Sequence, residues 1–149
     1  MNSHDVVVER RVAARPETVF RFFSDGRRWL MWQGVEAEID LKPGGAFRVN
    51  VRGDGFASGR FLEVEPNKRV VFTWGWEGPD SPVPPGSSTV EIELIEVPDG
   101  TLLRLSHRDL PEDERDVHRY GWDNYIGRLT AVGEGRDPGA DPMRVSPQE

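Results

Sequence analysis

From Val35 to His107, apolar and polar residues alternate with a period of two, and clusters of turn-forming residues break the alternation at short intervals. That pattern predicts six strands, each with one dry face. Val35, Ala37, Ile39 and Leu41 lead to Pro43-Gly44-Gly45, after which Phe47, Val49 and Val51 resume the alternation. Gly53-Asp54-Gly55 turns the chain into a strand from Phe56 to Val64, and Glu65-Pro66-Asn67-Lys68 turns it again. Val70, Phe72, Trp74 and Trp76 share one face of the next strand, and the Pro- and Gly-rich stretch from Glu77 to Ser87 reads as a long irregular loop. Val90, Ile92 and Leu94 meet Leu103, Leu105 and His107 across the hairpin signal Pro98-Asp99-Gly100.

The ends of the chain follow a different rhythm. Asp5 to Ala13, with Val6, Val8 and Val12, predicts an opening strand. Two short helices follow. One starts at Pro16 and carries Val19, Phe20, Phe22 and Phe23; the other, Arg27 to Gln33, carries Trp29, Leu30, Met31 and Trp32. Both need a sheet to bury their aromatics. Pro111 to Gly133 predicts a long helix, with Pro111 at its first position and Glu112, Asp113 and Glu114 against the positive end of its dipole. Trp122, Tyr125, Leu129 and Val132 form its packing stripe, bordered by His118 and Gly121, while Asp116, Asp123, Gly127, Thr130 and Glu134 face water. At 1.5 Å per residue, about 22 residues span roughly 33 Å, the width of a small domain.

Strands joined by short turns must be antiparallel. About seven twisted strands curl, and the long helix alone is large enough to cover the concave side. The expected class is α+β: a curved antiparallel sheet gripping a C-terminal helix, one domain over residues 1–133, then a loose polar tail over 134–149. With 149 residues the chain can bury a core without staples, and with no cysteine it has neither disulfides nor thiolate chemistry. A net charge of −7, with basic residues scattered among acidic ones, argues against nucleic acid as a partner. No apolar run approaches the roughly 18 residues of a membrane span, and no signal-peptide core is seen, so the expected setting is cytoplasmic.

The order of strand, two short helices, six strands and long helix resembles the helix-grip fold of the START-like (SRPBCC, Bet v 1-like) superfamily. More locally, Leu41-Lys42-Pro43-Gly44-Gly45 with Phe47 resembles the L-x-P-G-G-x-F turn of the activator of Hsp90 ATPase homologue 1-like family. Gly59 to Val64 followed by Arg69 to Trp74 resembles that family's paired central strands. Thr101 to Leu105 with His107 is similar to its last strand, and Gly121-Trp122 with Tyr125 to Leu129 to its closing helix. The likeness runs from about Val7 to Val132. It implies a fold shared by small-molecule binders, cyclases, resistance proteins and stress-linked co-chaperone domains. The eukaryotic co-chaperone of this kind has a separate amino-terminal docking domain. Here the grip is expected to start within the first ten or so residues, so direct chaperone activation is not expected.

A sheet and helix of this shape leave a space between them, and such spaces bind mostly apolar guests. The residues expected to line it are Trp32, Phe47, Val49, Phe61 and Phe72 on the entry turn and central strands, then Trp74, Trp76, Leu103 and Leu105, and finally Trp122 and Tyr125 from the helix. Taken singly, each of these residues is better read as core filling than as pocket wall; their concentration, five Trp in a small chain, points to aromatic walls. His107 is the expected polar handle, with a core-bonded histidine as the plain alternative, and His118, one turn before Trp122, is placed to meet it. Gly121 costs about 1 kcal/mol in mid-helix, which signals either close packing, the favoured reading, or room for a guest. Glu63 and Arg104 point outward unless a bulge shifts their phase. His4 is given no role.

No H-x-x-x-H, H-E-x-x-H, G-x-S-x-G or phosphate-cradling loop occurs, so no metal, cofactor or catalytic residue is expected. The leading expectation is a non-enzymatic binder of a small hydrophobic, lipid-like molecule. A cyclase- or hydrolase-type enzyme using His107 with Tyr125 or His118 is the second. A protein-interaction module, linked to a chaperone or forming a homodimer at a sheet edge, is the third.

Overall fold

The computed structural model describes residues 5–145; His4 and residues 146–149 lie outside them. Strand β1 (Val6–Val12) leads to helix α1 (Pro16–Phe20), which tightens into a 3₁₀ turn at Arg21–Phe23, and then to the single-turn α2 (Gly26–Trp29). Strands β2 (Glu36–Ile39), β3 (Ala46–Asn50), β4 (Phe56–Glu65), β5 (Arg69–Trp74), β6 (Ser88–Val97) and β7 (Gly100–Arg108) follow, and α3 (Glu112–Gly133) closes the fold. The strands form one antiparallel sheet in the order β1-β7-β6-β5-β4-β3-β2, with Val6 opposite His107 and Ile92 opposite Leu105. This is the curved α+β helix grip that the alternation implies.

Local chemistry sets the boundaries. The Asp25 carboxylate accepts from the Arg28 amide at 2.8 Å and caps α2. Gly44 turns the β2–β3 hairpin at φ 83°, a conformation that favours glycine. Pro111 stands one position earlier than expected, as the cap of α3 rather than its first residue, with the three acidic side chains in the first turn as anticipated.

Beneath the sheet the interior is solid. Trp29 is fully buried, with its ring 5.5 Å from Phe47 and 5.8 Å from Phe72, and Phe47 and Phe72 lie 4.5 Å apart. Phe23, Trp32 and Phe61 complete the cluster. The two short helices therefore plug one end of the grip.

A register shift between Phe61 and Glu63 gives β4 the bulge that would be needed to turn Glu63 inward, yet Glu63 stays exposed and pairs with Arg69. Arg104 also lies outward, 2.5 Å from Glu9. These ions belong to the solvated face, where single pairs are worth about 0–1 kcal/mol.

Two expectations about the chain's end are corrected. Thr130, assigned to the wet side of α3, is buried, because the last turn of the helix is enclosed and Gly133 lies against Val12 and Val19. The Thr130 hydroxyl donates to the Ile126 carbonyl at 2.8 Å, which satisfies it there. The segment after α3 is not loose over its described length. The Asp141 carboxylate accepts from Tyr125 Oη at 2.8 Å and Asn124 Nδ2 at 3.0 Å, and the Val145 amide donates to the Arg52 carbonyl at 2.8 Å. Met143 packs on the core edge. Composition marked this segment as polar, but its few anchors act only once the chain has doubled back. Tyr125→Phe is expected to cost about 1.5–3 kcal/mol, the range for a hydrogen bond to a charged group. Limited proteolysis between residues 134 and 145 should accelerate relative to cleavage elsewhere; an unchanged pattern would show that the clamp does not hold the segment.

Among the described residues, no helix is long and apolar enough to cross a membrane.

Candidate functional site

At the open end of the grip, a cavity of about 260 Å³ lies between the first half of α3, the ends of β3 and β5, and the returning segment. Trp74 and Trp76 enter from β5 and just beyond it. His118, Trp122 and Tyr125 descend from successive turns of α3. These five belong to the residues expected to line a pocket, and the fold brings them together. Val51, Arg52, Glu114, Val117 and Met143 complete the wall with Gln33 and Gly121.

The other expected lining residues lie elsewhere. Trp32, Phe47, Val49, Phe61, Phe72, Leu103 and Leu105 are buried in the packed interior, and Trp32 Nε1 donates to the Phe22 carbonyl at 3.1 Å. His107 is fully buried behind Trp122 and does not reach the cavity surface. The sheet's inward phase marks a buried face, but the strand ends decide which buried residues border space.

Gly121 supplies part of that space. A Cβ built there would meet only Met143 Cε, at 3.8 Å, an ordinary contact. The glycine therefore leaves room for a guest, and the close helix-to-sheet approach favoured from sequence is not what it provides. Gly121→Ala should raise stability by up to about 1 kcal/mol, the helix-propensity difference. A melting temperature that falls instead would show that the backbone needs glycine.

Two indoles hold two imidazoles. Trp122 Nε1 donates to His107 Nδ1 at 2.9 Å, and an indole nitrogen can only donate, so the His107 proton sits on Nε2. That nitrogen lies 2.9 Å from Ser88 Oγ, and Ser88 passes its own hydroxyl proton to the Trp74 carbonyl at 2.9 Å. Trp76 Nε1 likewise donates to His118 Nε2 at 3.0 Å, leaving Nδ1–H to donate to the Glu114 carbonyl at 2.7 Å. The two rings meet edge to face with centroids 5.3 Å apart.

Protonating either histidine would break an indole bond. Burial depresses the His107 pKa well below the usual histidine value, with His118, whenever it is protonated, and the Arg108 guanidinium acting in the same direction. Burial also lowers His118, opposed by the Glu114 carbonyl and carboxylate. Burial, and then Asp141, raise the Tyr125 hydroxyl pKa far above its usual value. The site thus holds neutral, fully bonded imidazoles and a protonated phenol. Among the described residues, no group of three or more His, Asp or Glu side chains is arranged to hold a metal ion.

Four wall residues carried weak sequence signals: Gln33, Arg52, Glu114 and Met143. Arg52 follows a strand in a glycine-bounded turn, and Met143 is a lone apolar side chain in a polar tail. Neither pattern points to a pocket without the contacts that bring the tail across.

Comparison with known proteins agrees with this architecture. The sequence model described as "Activator of Hsp90 ATPase homolog 1-like protein" matches residues 13–134. The human "Activator of 90 kDa heat shock protein ATPase homolog 1" is 25% identical over 121 residues, which are 80% of this chain and 34% of that protein. The chain thus spans about a third of the length of the curated relatives it matches. The solution structure of an AHSA1-like protein from Rhizobium etli is 48% identical, with a TM-score of 0.73 over 97% of this chain and 91% of its own. The solution structure of the Aha1 dimer from Colwellia psychrerythraea shares the fold at a TM-score of 0.74 and 17% identity, over 87% of this chain and 96% of that one. From the hairpin turn at Pro43 to the closing helix, on a START-like helix grip, the chain belongs to the Activator of Hsp90 ATPase homolog 1-like family.

Proposed function

We propose that this protein binds a small hydrophobic molecule in the cavity between the sheet ends and α3, in a cytoplasmic setting and without catalysing a reaction. The observation that carries this reading is a recess of about 260 Å³ walled by Trp74, Trp76, Trp122, Tyr125 and Met143, with a glycine facing it in mid-helix. The rings of Trp76, Trp122 and Tyr125, held by hydrogen bonds, offer flat, preorganised surfaces that lose little freedom on binding. The volume lies just under the roughly 300–1,000 Å³ of drug-sized sites, so a compact guest suits it better than a long acyl chain.

An enzymatic reading has less support. Both nitrogens of His107 and of His118 already have partners, and His107 is shielded from the cavity. A free general base within reach of a substrate would be required.

Native mass spectrometry and ligand-observed NMR against a lipid and polyketide-like panel test the proposal. At least one compact apolar compound should bind with Kd below about 100 μM, roughly −5.5 kcal/mol. Gly121→Leu fills the recess from a helical position and should abolish that binding while the fold stays intact. Binding undiminished in Gly121→Leu would place the ligand elsewhere.

The family supports a second reading, as an interaction module for a heat-shock chaperone, since the matching human protein is named as an activator of one. Exposed Val117 and Tyr120 on α3 offer a surface for such a contact. A pull-down with the cell's own chaperone, repeated with Tyr120→Glu, tests it. Light scattering tests the homodimer that the Colwellia relative brings to mind.

A further inference from the structure

We infer that the cavity takes a flat, neutral, mostly apolar molecule bearing a carbonyl oxygen, and that the side-chain amide of Gln33 holds this oxygen at the closed end of the cavity. This rests on the ligand-binding reading above and names the ligand's chemistry.

The orientation of Gln33 carries the argument. Gln33 follows α2 and borders the cavity, yet it is only 2% exposed. Trp29 Nε1 lies 2.9 Å from Gln33 Oε1 inside the core. An indole nitrogen can only donate, so the atom facing Trp29 is the amide oxygen, and the NH2 group is turned away from it. Among the described residues Gln33 Nε2 donates to nothing, and it is not one of the polar atoms sealed from solvent. With so little of Gln33 exposed, the space that this NH2 group meets is the cavity the side chain borders. A buried amide with two unused N–H donors is unusual, since buried polar groups are nearly always bonded. Its backbone is held on both sides. The Gln33 amide donates to the Trp29 carbonyl at 3.0 Å, Arg128 Nε to the Trp32 carbonyl at 3.1 Å, and the Val35 amide to the Asn50 carbonyl at 2.8 Å.

The other side-chain donors of the wall are engaged or out of reach. Trp76, Trp122 and Tyr125 give their protons to His118, His107 and Asp141, and His118 Nδ1–H donates to the Glu114 carbonyl. Trp74 Nε1 is sealed from solvent, and the Arg52 guanidinium pairs with Asp54. The donor that is left is neutral and calls for a neutral acceptor, while the Glu114 carboxylate on the same wall disfavours an anion. Val117, 54% exposed, marks the mouth of the cavity, and Gln33 its closed end. A guest therefore enters oxygen first, with Trp76 and Trp122 flanking its body and the space at Gly121 admitting it. A guest of the same shape without an acceptor would cover the amide and leave it unbonded, a loss that the carbonyl avoids.

NMR titration of the isotope-labelled full chain with methyl naphthyl ketone and with isopropenylnaphthalene, in which a methylene replaces the oxygen, tests the assignment. The ketone should bind at least about tenfold more tightly than the alkene. The side-chain amide resonances of Gln33 should shift with the ketone and stay nearly in place with the alkene. In Gln33→Met, which keeps the side chain's length but has no donor, the preference should shrink to within about twofold, circular dichroism verifying the fold. If that variant does not fold, the amide resonances of the wild-type protein decide: no shift with bound ketone overturns the assignment to Gln33, as does a preference that survives Gln33→Met. Equal binding of ketone and alkene to the wild-type protein overturns the carbonyl inference and leaves the binding role standing. Binding of neither probe overturns this inference, and failure of the wider panel as well overturns the binding role.

Discussion

Replacing Phe72 with Ala is expected to lower the unfolding free energy by about 3–5 kcal/mol, the range for emptying a ring-sized site in a packed core. Phe72 is fully buried on β5, near the middle of the sheet, and lies 4.5 Å from Phe47, 5.6 Å from Phe61 and 5.8 Å from Trp29. Two of these neighbours sit on hydrogen-bonded strands, and the third is held by α2 and its bond to Gln33, so the site cannot collapse far. Domains of this size have about 5–15 kcal/mol in all, so the loss is a large share of the total. Urea denaturation should show a lower midpoint with little change in slope. A loss below about 1.5 kcal/mol would mean that the interior is looser than its ring contacts imply. The cavity is a separate matter: Phe72 does not border it, so Phe72→Ala should affect ligand binding only through folding.

Acidification from pH 7.5 to 5.5 is expected to destabilise the fold, with His107 and His118 responsible for most of the slope below about pH 6.5. Burial lowers both values in the folded state, whereas an unfolded histidine titrates near 6.5. Above that value neither state is protonated and the full stability is present. As pH falls through it, the unfolded chain takes up protons that the folded chain refuses, and stability drops toward the folded-state values. Each histidine contributes up to about 1.4 kcal/mol per pH unit while it is neutral in one state and charged in the other. Glu77 and Glu134, lowered chiefly by Arg48 and by the Ala13 amide, act in the same direction, but nearer pH 4. Denaturation midpoints at several pH values should therefore fall between pH 6.5 and 5.5, and His118→Gln should flatten that fall. A direct check is the NMR titration of the His107 ring, whose signals should keep the neutral Nε2–H pattern to pH 5.5. A His107 that protonates near pH 6.5 would refute the indole–imidazole lock.

Most of the fold can be read in the chain because its signals are local. Alternation from Val35 to His107, glycine and proline at the turns, and the stripe Trp122-Tyr125-Leu129-Val132 each depend on neighbours a few residues away. The L-x-P-G-G-x-F stretch is legible for the same reason, since Gly44 must take a positive φ within its own turn. The candidate site is legible only in part. Trp74, Trp76, His118, Trp122 and Tyr125 carry the correct inward phase, but Phe47, Phe61 and Leu105 carry the same phase and lie in solid core. Phase separates inside from outside. It does not separate filled space from empty.

By itself the sequence determined the sheet, the gripping helix, the aromatic inner surface and the family, because hydrophobic periodicity and turn chemistry act along the chain. The tertiary structure alone decided which rings border a cavity, that Met143 closes one wall, and that both histidines stay neutral behind indole hydrogen bonds. Each of these depends on groups far apart in sequence meeting within a few ångströms, where packing density, burial and hydrogen-bond geometry take over from pattern.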